Sequence, residues 1–350
     1  MAGGGGGSIP PWTRGSLTPD GSPATILADG DFNAFPGAVW LDGSRVLVVY
    51  NRWAAGVGDV YGTIGTVTGS WTFTWGTPFV IYHGASDVLL DEGASIVDGK
   101  VVVAARLYSG TVNHGSFLLI CNSRPASLSS SSTWTTVAVP LTSFTGDNLV
   151  TGRVHRLIDG TYLVGYYGSD IGANFEAGVL LSASLTDWSA RSKVMVAPVH
   201  ANNYTEIDVE EMPDGLLVAH VRTEVPLQHF IATNTDHGAT WSAPAAAFSA
   251  HGYPAWRRLA TGLQLTVYRQ AAAPQATMWR QSDDDGATWS AETLLDGTLI
   301  GGHSSTSAYA TFLQLDAFHV LCVYAITDDR FIGYPSNLYS QVFTDDSTRP

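Results

Sequence analysis

Three arginines recur at one offset from a repeated turn. Arg106, Arg222 and Arg269 each stand eight residues after the first residue of a turn, namely Asp98-Gly99, Asp214-Gly215 and Thr261-Gly262. The other copies of that turn, Asp42-Gly43, Asp159-Gly160 and Asp316-Ala317, place Tyr50, Tyr167 and Tyr324 at the same offset. Guanidinium groups gathered in one place repel unless an anion sits between them, and each can grip a planar carboxylate through two parallel hydrogen bonds. The pattern points to a pocket for an acidic ligand, lined by guanidinium and phenol groups. Arg52, two residues beyond Tyr50, faces the same way if its strand alternates regularly. The competing reading is structural, with each arginine paired to a local acid: Arg52 to Asp59, Arg222 to Glu224.

The elements that must carry these residues follow from the same repeat. Each turn precedes an apolar, β-rich run (SRVLVVY, KVVVAARLY, TYLVGYY, LLVAHVR, LQLTVYR, FHVLCVY), and successive turns are 56, 61, 55, 47 and 55 residues apart. Six units, each long enough for about four short strands, predict an all-β chain folded as a six-bladed β-propeller. Trp71, Trp134, Trp188, Trp241 and Trp289 fall 27 to 36 residues after their own turns, and no sixth copy exists. Ring closure accounts for the missing copy: sequence before Asp42, including Ala38–Trp40, is expected to share a blade with the strand-like Leu338–Phe343.

Two of those tryptophans end a second motif, SDDDGATW at Ser282–Trp289 and NTDHGATW at Asn234–Trp241. Asp236 or Asp284 can accept backbone N–H groups, Gly238 or Gly286 can take positive φ, and the threonine hydroxyl can close the turn. This resembles the Asp box of sialidases and related proteins, which in that family lies on outer strands away from the active site.

The resemblance extends to candidate site residues. TEIDVEEMPDGLLVAHVR is similar to the sialidase stretch in which a glutamate precedes an Asp-Gly turn and an arginine follows it, here Glu206 and Arg222. SAYATFLQLDAFHVLCVYA is similar to the later stretch that carries the family's tyrosine nucleophile, here Tyr309. It implies that Glu206 is the base that activates Tyr309, which is chemically reasonable, since a phenol of pKa about 10 needs a carboxylate to take its proton. The general acid/base would be Asp59, the acid of the first-blade loop. A further carboxylate-binding arginine is expected from the fifth blade, Arg269 in preference to Arg280, with Arg106 and Arg52 as additional candidates. The sequence departs from the family at AFPGAVW, where Ala34 replaces the first arginine of the carboxylate clamp.

Composition agrees with one large folded unit: 350 residues, 45% hydrophobic and 14% charged, with 37 Gly and 11 Trp. Residues 1–24 read as a Gly/Pro-rich flexible leader and residues 25–350 as a single propeller domain. A formal net charge of −14 disfavours nucleic acid and anionic membrane surfaces as partners. No apolar run suits a membrane span, and the start lacks the basic and apolar regions of a signal peptide. Cys121 and Cys322 suggest neither a disulfide framework nor a zinc site, so the compartment stays open, extracellular or virion-associated locations included. No cofactor or metal is expected; Asp283, Asp285, Gly286 and Glu292 imitate part of a calcium loop, but the Asp-box reading explains them better. Two functions fit: a sialidase-like retaining exo-glycosidase on an acidic sugar, or a non-catalytic carbohydrate-binding propeller such as a phage-tail or adhesin module.

Overall fold

The apolar runs are dominated by β-branched and aromatic residues, which suit strands packed on both faces. The computed structural model describes residues 15–54, 57–83, 87–109, 112–139, 148–168, 175–188, 190–195, 204–250, 252–272, 276–297, 307–327 and 336–347. The expected leader is therefore described only from residue 15 onward.

Two short strands come first, β1 (Leu17–Pro19) and β2 (Ala24–Leu27). Blade 1 holds β3 (Phe32–Asp42), β4 (Arg45–Ala54), β5 (Val57–Val67), β6 (Phe73–Trp75) and β7 (Phe79–Tyr82), the last two both pairing with β5. Blade 2 holds β8 (Asp87–Val97), β9 (Lys100–Ser109), β10 (Val112–Cys121) and β11 (Trp134–Val139). Blade 3 holds β12 (Asn148–Arg156), β13 (Tyr162–Gly168), β14 (Glu176–Ser182) and β15 (Ala190–Met195). Blade 4 holds β16 (Tyr204–Glu211), β17 (Leu217–Thr223), β18 (Gln228–Asn234) and β19 (Ala245–Ser249). Blade 5 holds β20 (Trp256–Arg258), β21 (Gln264–Arg269), β22 (Thr277–Ser282) and β23 (Thr293–Asp296). Blade 6 holds β24 (Ser307–Gln314), β25 (His319–Thr327) and β26 (Asn337–Asp345), completed by β1 and β2. The chain is a six-bladed, all-β propeller.

Closure does use sequence before Asp42, as expected, but not the segment named for it. Ala38–Trp40 lie within β3, paired to β4 through the local Asp42-Gly43 hairpin, and are not shared with the C-terminal strands. It is residues 17–27 that pair with β26. Leu17–Pro19, counted above with the leader, thus belongs to the propeller: Leu17 is buried, and its N–H donates to Gln281 Oε1 at 2.8 Å. Blades 6 and 1 are also joined where Trp40 Nε1 donates to the Gln314 carbonyl at 2.9 Å.

The repeated turns explain the repeat. Backbone N–H groups of Ser44, Thr161, Leu216 and Phe318 donate to Oδ1 of Asp42, Asp159, Asp214 and Asp316 at 2.9, 2.8, 3.1 and 2.8 Å. The glycines at 99, 160, 215 and 262 take φ of 69°, 91°, 85° and 96°, where a side chain would be strained. The two boxed motifs join the third and fourth strands of blades 4 and 5, on the outer side of the ring. Asp284 accepts from Thr288 N at 2.8 Å and Thr288 Oγ1 at 2.6 Å, and Asp236 accepts from Thr240 N and Oγ1 at 2.8 and 2.5 Å. Glu292, the last member of the calcium-like pattern, accepts from Tyr268 Oη at 3.1 Å and pairs with Arg280.

The first strands of neighbouring blades contact one another around the ring and so enclose the axis. The core fills the spaces between blades. Val102, Ala104 and Leu118 of blade 2 meet Val150, Val164 and Trp188 of blade 3, and Leu163 and Val179 of blade 3 meet Ile207 and Val221 of blade 4. All first strands begin on one face, here the near face, and end on the other; the second strands return to the near face.

Candidate active site

The near face collects the starts of the first strands and the ends of the second strands. Arg106, Arg222 and Arg269 lie at or near the ends of β9, β17 and β21, so all three reach this one face, from the second strand of each blade. They are buried, at 8, 6 and 1% exposure, in a protein where an isolated buried charge would be costly.

Glu206 occupies an irregularity in β16. The register with β17 shifts between Tyr204 and Ile207, so the segment opposite Arg222 is released from the regular ladder. Such a bulge re-aims a side chain. Here the Glu206 carboxylate meets two groups at once. Arg222 Nη1 donates to Oε2 at 2.6 Å, and Tyr309 Oη, from the start of β24, donates to Oε1 at 3.2 Å. Arg222 also holds Glu224 at 2.8 Å. Burial alone would lower the Arg222 pKa, but Glu206, Tyr309 and Glu224 outweigh it and push it well up, so the guanidinium stays charged.

Comparable shifts interrupt β3 between Ala34 and Gly37, β8 between Leu90 and Ala94, and β12 between Thr151 and His155. The one in blade 1 carries Phe35 at φ 55°, and its ring meets Tyr309 edge-on with centroids 4.4 Å apart. Tyr309 is thus held between a carboxylate and an aromatic edge. Ala34, in place of the family arginine, is fully buried.

The remaining candidates have other company. Arg106 Nη1 donates to Tyr167 Oη at 3.0 Å, so one arginine and one phenol of the six-fold pattern do meet. The other phenols depart from it: Tyr324 donates to Asp296 at 2.9 Å, and Tyr50 is enclosed in the blade 1 core, where burial pushes its pKa up. Arg52 does not pair with Asp59, although the two are cross-strand neighbours. It is bound by Asp31 at 2.6 Å and Asp29 at 2.9 Å and lies over the Tyr61 ring at 5.1 Å, so it is a tied-down structural cation. The Asp59 carboxylate instead faces His83 Nδ1 at 2.7 and 2.9 Å. Arg280 is committed to Tyr268, Ser290 and Glu292. Phe35, His83, Asp29 and Asp31 escaped the sequence reading. They act through contacts between segments with no shared motif, although Phe35 is adjacent to the position already singled out by Ala34.

Among the described residues no group of three or more His, Cys, Asp or Glu could hold a metal ion, and no helix is long and apolar enough to cross a membrane.

With this geometry in view, comparisons with known proteins separate fold from sequence. No protein-family model matches the chain, and no curated protein matches it. Solved structures do. A protein of unknown function from Dyadobacter fermentans superposes with a TM-score of 0.75 at 18% identity, over 94% of this chain and 99% of that one. A Hadza microbial sialidase gives 0.61 at 17% identity, over 90% of this chain and 66% of that one. Trypanosoma rangeli sialidase gives 0.63 at 12% identity, over 94% and 59%. The fold is sialidase-like. The chain spans about two thirds or less of the length of the two sialidases, and at these identities the likeness concerns architecture alone.

Proposed function

We propose that the chain is a sialidase-like retaining exo-glycosidase acting on a terminal acidic sugar. Tyr309 attacks the anomeric carbon while Glu206 takes the phenolic proton. Asp59 gives a proton to the departing glycosidic oxygen and then takes one from the water that releases the glycosyl–tyrosine intermediate, so configuration is retained over two displacements. Arg222, Arg269 and Arg106 face the sugar's carboxylate. Arg52 is left out of this set because Asp29 and Asp31 already hold it.

The observation that carries the reading is the Tyr309–Glu206–Arg222 contact, three chemically matched groups from two different blades. A phenol nucleophile also avoids the repulsion a carboxylate would feel from an anionic substrate. Glycan binding in general is supported by the sialidase-like fold. A second reading, binding without hydrolysis, is favoured by the buried Ala34 and the sequestered Arg52, which leave the clamp one guanidinium short. Turnover of a panel of 4-methylumbelliferyl glycosides, a sialoside among them, tests the proposal. Release of fluorophore that disappears in Tyr309→Phe supports the enzyme. Turnover unchanged in Tyr309→Phe removes the nucleophile, and glycan binding with no turnover leaves the binding module.

A further inference from the structure

A cavity opens at the far face of the ring. It encloses about 590 Å³ and is walled by the last halves of all six first strands. Four residues upstream of the first residue of each repeated turn stand Ala38, Ala94, His155, Glu210, Arg257 and Phe312, and all six line this cavity. Nearer the other face the first strands of blades 2, 3 and 4 pack closely: a Cβ on Gly93 would fall 1.9 Å from the Gly152 carbonyl, and one on Gly152 would meet Tyr253 Oη at 2.8 Å and the Ile207 carbonyl at 3.0 Å.

We infer that this far-mouth cavity binds a small ligand bearing a carboxylate. Its ring of six changes from small and apolar at Ala38 and Ala94 to ionic at Glu210 and Arg257, so one side is built to hold charge. Arg153 makes its hydrogen bonds through Nη2 alone, to Glu210 at 2.6 Å and Asp208 at 3.3 Å. Arg257 reaches Glu210 only at 3.4 Å, through Nη1. Two guanidinium groups therefore share Glu210, and among the described residues no protein group uses the remaining edge of either. Asp208, behind Arg153, is 3% exposed, and burial raises its pKa against the opposing pull of Arg153. At the rim, Arg156 and Asp98 balance each other at 3.2 Å. Further in, the two guanidinium groups face two carboxylates, of which Arg257 meets only the shared Glu210.

A planar carboxylate is the acceptor that fits a free guanidinium edge with two parallel bonds. Glu210, held ionised with its pKa pulled down to about 2 by the two arginines against the effect of burial, can accept a hydroxyl from the same ligand. Trp40, Leu313 and Phe312 supply apolar wall beside it, from blades 1 and 6. The volume is within the range of about 300–1,000 Å³ typical of small-molecule pockets.

The test uses the full chain, titrated with glucuronate, glucose and inorganic phosphate by calorimetry, with Arg222→Lys run alongside so that any near-face contribution shows as a difference between the two. Glucuronate should bind, glucose should not, and adding Arg257→Gln should weaken glucuronate by about tenfold or more, as loss of a charge-assisted contact does. Ser95→Trp, which fills the cavity without touching the ion cluster, should abolish binding and serves if Arg257→Gln misfolds. No glucuronate binding, or binding indifferent to both variants, overturns the inference. Phosphate binding as tightly as glucuronate overturns the carboxylate assignment. The proposed glycosidase can fail its own test and leave every one of these outcomes unchanged, because that reading concerns the other face.

Discussion

Tyr309 Oη and Glu206 Oε1 lie 3.2 Å apart although their strands, β24 and β16, belong to blades separated by a third. The bulge in β16 makes the contact: in regular register Glu206 would be fixed in the ladder beside Arg222, whereas the shift between Tyr204 and Ile207 frees it to meet Arg222 and Tyr309 together.

If Glu206 is the base, Glu206→Gln keeps the shape of the cluster but cannot take the phenolic proton. We expect kcat to fall by about 10² to 10⁴ with KM for an acidic glycoside little altered. Steady-state kinetics on the folded variant decide it, and undiminished kcat would remove Glu206 from the mechanism.

Arg222 has two tasks that one substitution separates. Arg222→Ala strands the buried Glu206 carboxylate, and breaking a buried ion pair costs about 3–5 kcal/mol, so the melting temperature should drop markedly. Arg222→Lys keeps a cation in place and should recover part of that stability. It lacks the planar fork, however, so KM for a carboxylated glycan should remain raised relative to a neutral one. Equal responses to the two glycans would show that Arg222 does not read the substrate's charge.

Stability should begin to fall on the acid side well above the usual carboxylate range. His155 and His229 are held neutral, their pKa values lowered to about 3, mainly by burial, and His220 is lowered in the same direction. The unfolded chain protonates these rings near their ordinary value of about 6.5, so between that pH and about 3 it binds more protons than the folded one. Stability is therefore fully present above about 6.5 and is lost progressively down to about 3, where folded His155 also protonates. Glu210, lowered to about 2, adds a loss in the same direction below about 4.5. Urea midpoints at pH 7, 6 and 5 should decline in order, and His229→Asn should flatten that slope.

Trp289 packs across the gap between blades 4 and 5, with its ring 5.4 Å from Phe248 and 5.7 Å from His220, while remaining partly exposed. Trp289→Ala should destabilise by about 2–3 kcal/mol, below the roughly 3–5 of a fully buried aromatic. Glycan affinity per folded molecule should not change. A well-folded variant that no longer binds would mean that the boxed turns communicate with the near face.

The repeat was legible because it rests on local chemistry. An aspartate accepting the N–H two residues on, and a glycine at positive φ, must appear in sequence wherever the turn appears in space. From that followed the six blades and the common face of Arg106, Arg222 and Arg269. Contacts between distant segments left no such trace. Arg52 looked like the partner of Asp59 because Asp59 is a local acid in the chain, but Asp29 and Asp31 hold its guanidinium instead. Nothing in the spacing marks the bulge at Ala34–Gly37 that sets Phe35 against Tyr309. Ring closure misled for a related reason: Ala38–Trp40 had a nearer partner across its own hairpin, and the strand that completes blade 6 is the short Leu17–Pro19.

The role of Asp59 can be isolated by the leaving group. In the proposed mechanism its proton matters only when the departing oxygen is basic, because a methylumbelliferyl phenol leaves readily by itself, whereas the hydroxyl of another sugar does not. Asp59→Asn should therefore lower kcat/KM for a natural disaccharide by about 10² or more, the usual worth of a general acid, and much less for the fluorogenic substrate. His83 faces the same carboxylate at 2.7 Å with its own ring largely exposed, a position from which it can hold Asp59 in place. His83→Ala should lower kcat for the disaccharide, while His83→Gln, which can still donate to the carboxylate, should restore most of it. Measuring both substrates on both variants is decisive: equal losses for the good and the poor leaving group would place Asp59 in substrate binding or blade structure, and no loss for either would remove it from the site.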